Sequence, residues 1–275
     1  MFEYGFMQNA VLAILIITPL FGMLGTVIVN RKMAFFSDAL GHSALTGIAI
    51  GIVLGIGDAN AAMIVFAVLF ALFLNYISNK SNASTDTIIS VFSSCSVAVG
   101  LAILSWGGSF SKYSSILVGD ILSITRKEIF YLFLLFAATM LFYVVCFNWL
   151  NAAGIHRTLA ASRHIPVGLM ENLFSVFVAL VVTLSIKWVG ILIINALLIL
   201  PAAASRNLSE NMREYHFFSV LFSLFSGMTG LFTSYYTNVA TGPMIVIFAS
   251  ILYFSTYLYH WKGQKSAKWE KNLYK

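Results

Sequence analysis

Nine long apolar runs follow one another along this chain of 275 residues, and they limit its fold more than any other feature. They cover residues 10–29, 33–56, 59–77, 88–106, 129–149, 169–186, 189–204, 216–235 and 243–260. A helix needs roughly 20 apolar residues to cross the hydrocarbon core of a bilayer. The side chains are 60% hydrophobic and 9% charged, whereas soluble domains carry roughly 25% charged residues. We therefore predict an all-α fold, a polytopic membrane helix bundle with about eight to nine transmembrane helices.

The connections between the runs are too short to hold a second domain, so residues 1–275 are predicted to form a single transmembrane domain. A catalytic or nucleotide-hydrolysing domain would need on the order of 100 water-facing residues. The sequence contains no Gly-x-x-x-x-Gly-Lys-Ser/Thr phosphate loop, no His-Glu-x-x-His zinc motif and no Gly-x-Ser-x-Gly nucleophile elbow. We predict that the chain is not an enzyme, holds no permanent cofactor and binds no nucleic acid.

The distribution of Lys and Arg predicts the orientation of the chain in the membrane. Nine spans put the two termini on opposite sides, and the lysine-rich tail is expected in the cytoplasm. Twelve of the 16 cations then fall on the cytoplasmic side, and this imbalance agrees with the positive-inside rule. The runs 169–186 and 189–204 are separated by a very short turn, Lys187 and Trp188. Eight spans, one of them a broken helix, is therefore an open alternative.

Two connections are long enough to have structure of their own. The outer one, residues 107–128, contains the apolar segment 117–122, which is too short to cross and is expected at the interface or re-entering the bilayer. The inner one, residues 150–168, contains helix-forming residues and stops at Pro166. We predict a short cytoplasmic helix over about residues 155–166.

Asp38 and His42 are the residues that point most clearly to chemistry. They are four positions apart in the second run, so on a helix both side chains leave the same face, one turn apart. A carboxylate oxygen and an imidazole nitrogen suit a first-row divalent ion such as Zn²⁺ or Mn²⁺. Ionisable side chains inside a membrane are costly and mark functional sites. The pair is the predicted metal site.

A structural explanation of the same residues stays open. Ser37 or Asp38 can cap the cytoplasmic end of the second span, and His42 can bond to a neighbouring helix. Two ligands are also too few for a transition-metal ion. A two-fold homodimer with the pair facing its axis would bring four ligands, and symmetric dimers are the commonest oligomers.

Other small and polar residues are interpreted mainly as packing and capping positions. Four small residues recur every four positions in the second run: Ser43, Gly47, Gly51 and Gly55. They predict a ridge for close helix packing. Asn195 is expected to bond to another helix through its side-chain amide. Asp120 in the outer connection either receives an incoming cation at the outer mouth or caps a turn.

Several motifs, in order along the chain, resemble those of a known family. The first is the stretch from Arg31 through Asp38 and His42 to Leu45. It is followed by residues 117–122, by residues 189–204, and by Ser-Tyr-Tyr at 234–236 with Thr-Gly-Pro at 241–243. In this order they are similar to the membrane subunits of bacterial ABC importers for zinc and manganese. A series of ordered motifs along nearly the whole chain is far more specific than any one motif.

The resemblance implies a homodimeric permease in the bacterial cytoplasmic membrane. Such a permease docks on cytoplasmic ABC ATPase subunits and takes Zn²⁺ or Mn²⁺ from an extracytoplasmic metal-binding protein. Asp38 and His42 match the positions at which the family holds the metal in transit. The coupling helix that contacts the ATPase is matched by Ala160, Ala161, Arg163 and Pro166. His164 departs from the family pattern, in which a small residue is frequent at that place.

Two questions stay open from the sequence. The residue types at the metal site allow Zn²⁺ and Mn²⁺ alike. An ion-coupled secondary carrier or a channel, working without an ATPase, would also use Asp38 and His42 to pass ions or relay protons. Co-purification with an ATPase separates these two classes of transporter.

Overall fold

The computed structural model describes residues 4–81, 83–106, 115–155 and 166–273. Within these residues there are ten α-helices: α1 (Gly5–Asn30), α2 (Phe36–Val53), α3 (Ala59–Lys80), α4 (Thr85–Trp106), α5 (Ser115–Val118), α6 (Arg126–Ile155), α7 (Val167–Val189), α8 (Ile191–Arg206), α9 (Met212–Thr237) and α10 (Thr241–Leu273). One 3₁₀ turn, Ile121–Ser123, lies between α5 and α6. Eight of these helices, all except α5 and α8, are long and apolar enough to cross a membrane. The prediction of an all-α, polytopic membrane bundle is confirmed.

Helices α1 and α2 form the centre of the bundle. In each of them, 72% of the most apolar 18-residue window is buried, compared with 28% in α4 and 22% in α10. Helix α1 packs between α8 and α9, whereas α2 packs against α3, α4, α7 and α8. Because lipid tails are as apolar as the side chains, helices in a bilayer associate through close van der Waals contact rather than the hydrophobic effect. Both central helices achieve this contact through small residues.

Glycines bring α1 close to its neighbours. A Cβ atom on Gly22 would lie 2.9 Å from the carbonyl oxygen of Ser219 in α9. A Cβ atom on Gly25 would collide with the carbonyl oxygen of Leu198 in α8. No larger side chain fits at either position without a shift of the backbone, so these two glycines set the spacing of α1, α8 and α9.

The predicted small-residue ridge of α2 is a packing surface over part of its length. A Cβ atom on Gly47 would lie 2.9 Å from the Cα of Met63 in α3, and one on Gly51 would lie 2.5 Å from the Cβ of Ala62. The prediction is wrong for Gly55, which has no heavy atom within 4 Å of an added Cβ. Helix α2 ends at Val53, and Gly55 adopts a φ of 68° in the turn that follows. The four-residue spacing thus continues in the sequence beyond the end of the helix.

The outer connection packs on a break between α7 and α8. Gly190, with a φ of 89°, separates the two helices, and Gly119 of the outer connection has a φ of 71°. A Cβ atom on either glycine would collide with the backbone of the other segment. The backbone N–H of Asp120 donates to the carbonyl oxygen of Lys187 at 3.2 Å. The apolar segment 117–122 is therefore held against the end of α7 and does not cross the bilayer.

Helices α7 and α8 form a hairpin rather than one broken span. Asn30 at the end of α1 accepts a hydrogen bond from Nη1 of Arg206, the last residue of α8, at 3.2 Å. Asn30 also lines a cavity with Glu171 near the start of α7. Helix α8 has only 16 residues, or about 24 Å at 1.5 Å per residue. It is shorter than a full span, yet it returns the chain to the face where α7 began. The described chain thus has eight helices long enough to cross the membrane and one shorter apolar segment, α8.

The start of α1 and the middle of α10 lie toward opposite faces of the bundle. Phe6 near the start of α1 lines a cavity together with the turn between α9 and α10. Thr256, in the second half of α10, accepts a hydrogen bond from Nδ2 of Asn207 at 3.2 Å, beside the end of α8. We call the face with Phe6 the outer face and the face with Asn207 the inner face, as the positive-inside rule requires.

The hairpin predicts which turns can be labelled from each side of the membrane. We expect a membrane-impermeant maleimide to label Asn238→Cys, in the turn between α9 and α10, from outside the cell. Glu210→Cys, in the turn between α8 and α9, should be labelled only after the membrane is opened. Cys95 and Cys146 are replaced by serine in both variants. Ala83→Cys, in the turn between α3 and α4 and in the same background, should behave like Glu210→Cys. Labelling of these two variants from opposite sides of the membrane would show that α7 and α8 form a single span.

The close contact at Gly25 predicts a large effect of adding one methyl group. Gly25→Ala should lower the free energy of unfolding by about 1–3 kcal/mol, because the new Cβ meets the Leu198 backbone. Gly168→Ala in α7 is the control, since an added Cβ there has no heavy atom within 4 Å. The measurement is the midpoint of thermal unfolding in detergent. Equal midpoints for the two variants would contradict the packing described for α1.

Candidate functional site

Helix α2 starts after a tight turn that follows α1. Lys32 adopts a φ of 55° in this turn, and the guanidinium of Arg31 lies 5.2 Å from the ring centroid of Phe174 in α7. Phe35 occupies the N-cap position of α2 and makes no side-chain capping bond. Asp38 lies within the first turn of the helix and does not cap it. The capping explanation of Asp38 is therefore wrong.

The start of α2 is also fixed against the start of α8. The hydroxyl of Ser37 donates to Oδ1 of Asn195 at 2.5 Å, and Ser37 is fully buried. A Cβ atom on Gly41 would lie 3.3 Å from Cγ2 of Ile191 in α8. The expectation that Asn195 bonds to another helix is confirmed. Because Ser37 precedes Asp38 directly, this contact fixes the direction in which the Asp38 side chain leaves α2.

Asp38 and His42 meet on one face of α2, as their spacing predicts. Nε2 of His42 lies 3.5 Å from Oδ1 of Asp38. This separation is longer than an ordinary N–H···O hydrogen bond of about 2.7–3.2 Å. It is close to the ~3.4 Å that separates two ligand atoms held about 2.1 Å from one tetrahedral zinc ion. The spacing therefore suits two ligands of a single divalent ion.

Asp38 and His42 are the two accessible residues on an otherwise buried stretch of α2. From Phe36 to Ala49, all of which the structure describes, twelve residues are buried and two are not. Those two are Asp38 and His42, whose side chains are 35% and 27% exposed. The surrounding helices cover the other residues of this stretch. An ion that reaches this part of α2 therefore meets the two side chains best able to bind it.

One chain gives an incomplete metal site. Among the described residues, no group of three or more His, Cys, Asp or Glu side chains is placed to hold an ion. Zinc sites in proteins use three or four protein ligands. Within the described ranges, Asp38 and His42 therefore form an incomplete ligand set.

Asp120 lies at the outer face, in the wall of a cavity of about 690 Å³. Its Oδ1 accepts a hydrogen bond from the backbone N–H of Leu122 at 3.0 Å, so the carboxylate caps the 3₁₀ turn. Asp120 is also exposed and is the charged residue among those that line this cavity. Of the two roles expected from the sequence, the cap is therefore present, and the position suits an outer mouth.

A polar cavity of about 280 Å³ lies at the opposite, inner face. It is lined by the turn between α1 and α2 and by the inner ends of α3 and α7. Nδ2 of Asn75 in α3 donates to Oδ1 of Asn172 in α7 at 2.5 Å. Nδ2 of Asn79 lies 3.4 Å from Oε2 of Glu171. These contacts tie α3 to the first turns of α7, next to the turn that leads to Asp38 and His42.

Most of the predicted coupling helix lies outside the described residues. Ala160, Ala161 and Arg163 belong to this part of the chain. Pro166 is described, and it directly precedes the first residue of α7. The predicted segment therefore connects the inner end of α6 with the inner end of α7.

Sequence reasoning missed a polar contact that joins three helices near the inner face. Nδ1 of His216 in α9 lies 2.6 Å from Oγ1 of Thr26 in α1 and 3.0 Å from the hydroxyl of Tyr143 in α6. Thr26 and His216 are 190 positions apart, so no local spacing connects them. Trp188 was missed as well: its Nε1 is buried and has no hydrogen-bond partner among the described residues.

Comparison with known proteins identifies the family. Residues 3–260 match the model of the ABC 3 transport family. The chain is 28% identical over 257 residues to the high-affinity zinc uptake system membrane protein ZnuB of Haemophilus influenzae, covering 92% of this chain and 96% of the relative. It is 25% identical over 257 residues to the manganese transport system membrane protein MntC of Listeria innocua, covering 94% of this chain and 91% of the relative.

A solved structure agrees with the family assignment. The chain resembles PsaBC from Streptococcus pneumoniae, determined in complex with a Fab, with a TM-score of 0.81 and 30% sequence identity. The match covers 93% of this chain and 92% of that chain. The protein therefore belongs to the ABC 3 transport family and is a polytopic membrane permease of an ABC transporter.

Proposed function

We propose that the chain is the permease subunit of an ATP-driven importer and carries a divalent transition-metal ion, Zn²⁺ or Mn²⁺, into the cytoplasm. The main observation behind this proposal is that Asp38 and His42 are the two accessible residues in the buried stretch from Phe36 to Ala49. Relatives named for zinc uptake and for manganese transport support both ions as cargo. ATP hydrolysis belongs to a separate subunit, and this chain supplies the path for the ion.

The chemistry of the pair fits transport rather than permanent binding. An ion that leaves water for an apolar path must receive ligands in place of part of its hydration shell. The Asp38 carboxylate offsets charge, and the His42 imidazole favours first-row transition metals over Mg²⁺. Two protein ligands from each chain bind weakly enough for the ion to leave again. Asp120 marks the outer mouth of the path.

We propose that the working permease is a homodimer with the two pairs facing each other across its axis. The side chains of Asp38 and His42 would be costly to leave against lipid at their observed exposure of 35% and 27%. A second copy related by a two-fold axis covers both side chains and doubles the ligand set. Two carboxylates and two imidazoles make a four-coordinate site for Zn²⁺, and added water would suit Mn²⁺.

The energy for uphill import comes from ATPase subunits that bind the inner face. In this proposal the coupling helix formed by about residues 155–166, with Ala160, Ala161, Arg163 and Pro166, contacts the ATPase. Because this segment connects α6 to α7, movement of the ATPase would pull on the inner ends of both helices. The contact between Asn75 and Asn172 extends that pull to α3, which packs on α2. The two subunits then alternate between outward and inward states.

The metal content of the purified transporter tests the proposed ligands. We expect Asp38→Ala and His42→Ala to lose the Mn²⁺ or Zn²⁺ that the wild type retains, because each removes two of the four ligands in the dimer. Bound metal is measured by elemental analysis of the permease and ATPase complex in nanodiscs. Asp86→Ala, which removes an exposed acid from the first turn of α4, is the control and should keep wild-type metal. Equal metal content in the wild type and in all three variants would disprove the proposed metal site.

Loss of the ATPase contact separates the importer from a secondary carrier. We expect Arg163→Glu to reduce the amount of co-purified ATPase by about tenfold, because it reverses a charge in the proposed coupling helix. Metal uptake by the reconstituted complex should fall in parallel. Arg213→Glu, at the inner start of α9, is the control, because it makes the same change of charge outside the proposed coupling helix. Continued uptake by the permease alone, without an ATPase, would instead support the carrier.

A further inference from the structure

The outer cavity of about 690 Å³ is far larger than a metal ion requires. A water molecule occupies about 30 Å³ in the liquid, so the cavity has room for a large side chain together with part of a loop. It opens at the outer face between the start of α1, the 3₁₀ turn and the turn between α9 and α10. Its lining includes Asp120 and four aromatic residues: Phe6, Trp188, Tyr235 and Tyr236. A single acid surrounded by aromatic rings differs from the carboxylate and imidazole of Asp38 and His42.

The charge and the rings of this cavity both favour a cation. Of the described residues that line the cavity, Asp120 is the only charged one, and it has no ion pair within the described ranges. The nearby Lys187 does not neutralise it, because Nζ of Lys187 lies 2.6 Å from Oε1 of Glu128. Tyr236 also lines this cavity and is 75% exposed. The faces of aromatic rings attract cations, and most strongly those that shed water easily.

Trp188 adds a further aromatic residue to the wall of the cavity. Trp188 lines the cavity and is only 6% exposed. Its Nε1–H is buried and has no hydrogen-bond acceptor in the described part of the chain. Because Nε1 is not accessible to a water-sized molecule, an occupant of the cavity does not reach it.

We propose that the cavity receives a basic side chain, best an arginine, presented on a loop of the extracytoplasmic metal-binding protein. The guanidinium lies between the Asp120 carboxylate and the tyrosine rings. This inference rests on the proposed function, since it needs a binding protein that delivers the ion. A guanidinium is more weakly hydrated than a divalent ion, and one carboxylate alone is a poor ligand set for a transition metal.

The test measures docking of the metal-loaded binding protein to the permease and ATPase complex in nanodiscs. We expect Asp120→Asn to weaken the affinity about tenfold and to flatten its dependence on salt, because it removes one charge of the pair. Asparagine keeps the acceptor that caps the 3₁₀ turn, so the fold is preserved. Tyr236→Leu should weaken docking by about threefold through loss of the ring face. Free N-acetyl-arginine amide should compete for the site, whereas the neutral citrulline analogue should not.

Asp58→Asn is the matched control. Asp58 is an exposed acid at the outer end of α3, it caps that helix through Asn60, and it does not line the cavity. Docking that weakens equally in Asp58→Asn and Asp120→Asn would overturn the proposal, because the effect would then be one of overall charge. Unchanged docking in Asp120→Asn with lower metal uptake would also overturn it and would assign Asp120 to the ion itself. Wild-type complex that fails to bind both metal and binding protein would instead contradict the proposed function.

Discussion

The cost of keeping a carboxylate and an imidazole within a bilayer governs this structure. Such side chains are tolerated in membranes only where a partner, an ion or water faces them. Helix α2 meets this condition by burying nearly all of its first half against four other helices and leaving Asp38 and His42 accessible. The pair is therefore most stable when something charged or polar lies beside it. In the function proposed above, a divalent ion shared with a second copy of the chain would satisfy that requirement during transport.

The rest of the bundle positions α2. Glycines at close contacts hold α1 and α2 against their neighbours, and the Ser37 hydroxyl fixes the start of α2 to Asn195 of α8. The short α8 is essential for this arrangement, since the break at Gly190 brings its first residues next to Gly41. The helix that carries the ligands thus has little freedom of its own at this point. Movement during transport must then involve whole groups of helices rather than the ligand pair alone.

Much of the fold, and the meeting of Asp38 and His42 on one face of α2, could be predicted from the sequence, because both depend on local patterns. Apolar runs of about 20 residues define spans, and a spacing of four places Asp38 and His42 on one face. The contact between Thr26 and His216 could not be predicted, because the two residues are 190 positions apart. The run 189–204 resembles a full span in the sequence. Because Gly190 has a positive φ, α8 begins only at Ile191 and is shorter than a span. The outer cavity was missed because four separate segments assemble it.

The central claim is that His42 ligates the ion in transit, and pulsed electron paramagnetic resonance of bound Mn²⁺ tests it most directly. Manganese is paramagnetic, so a nitrogen atom in its first coordination shell gives a measurable ¹⁴N coupling. In the wild-type permease and ATPase complex, the account predicts ¹⁴N coupling from imidazole. In protein from cells grown with ¹⁵N-histidine, a ¹⁵N coupling should replace the ¹⁴N coupling. Mn²⁺ that is bound by the wild type without any coupling to histidine nitrogen would contradict the account.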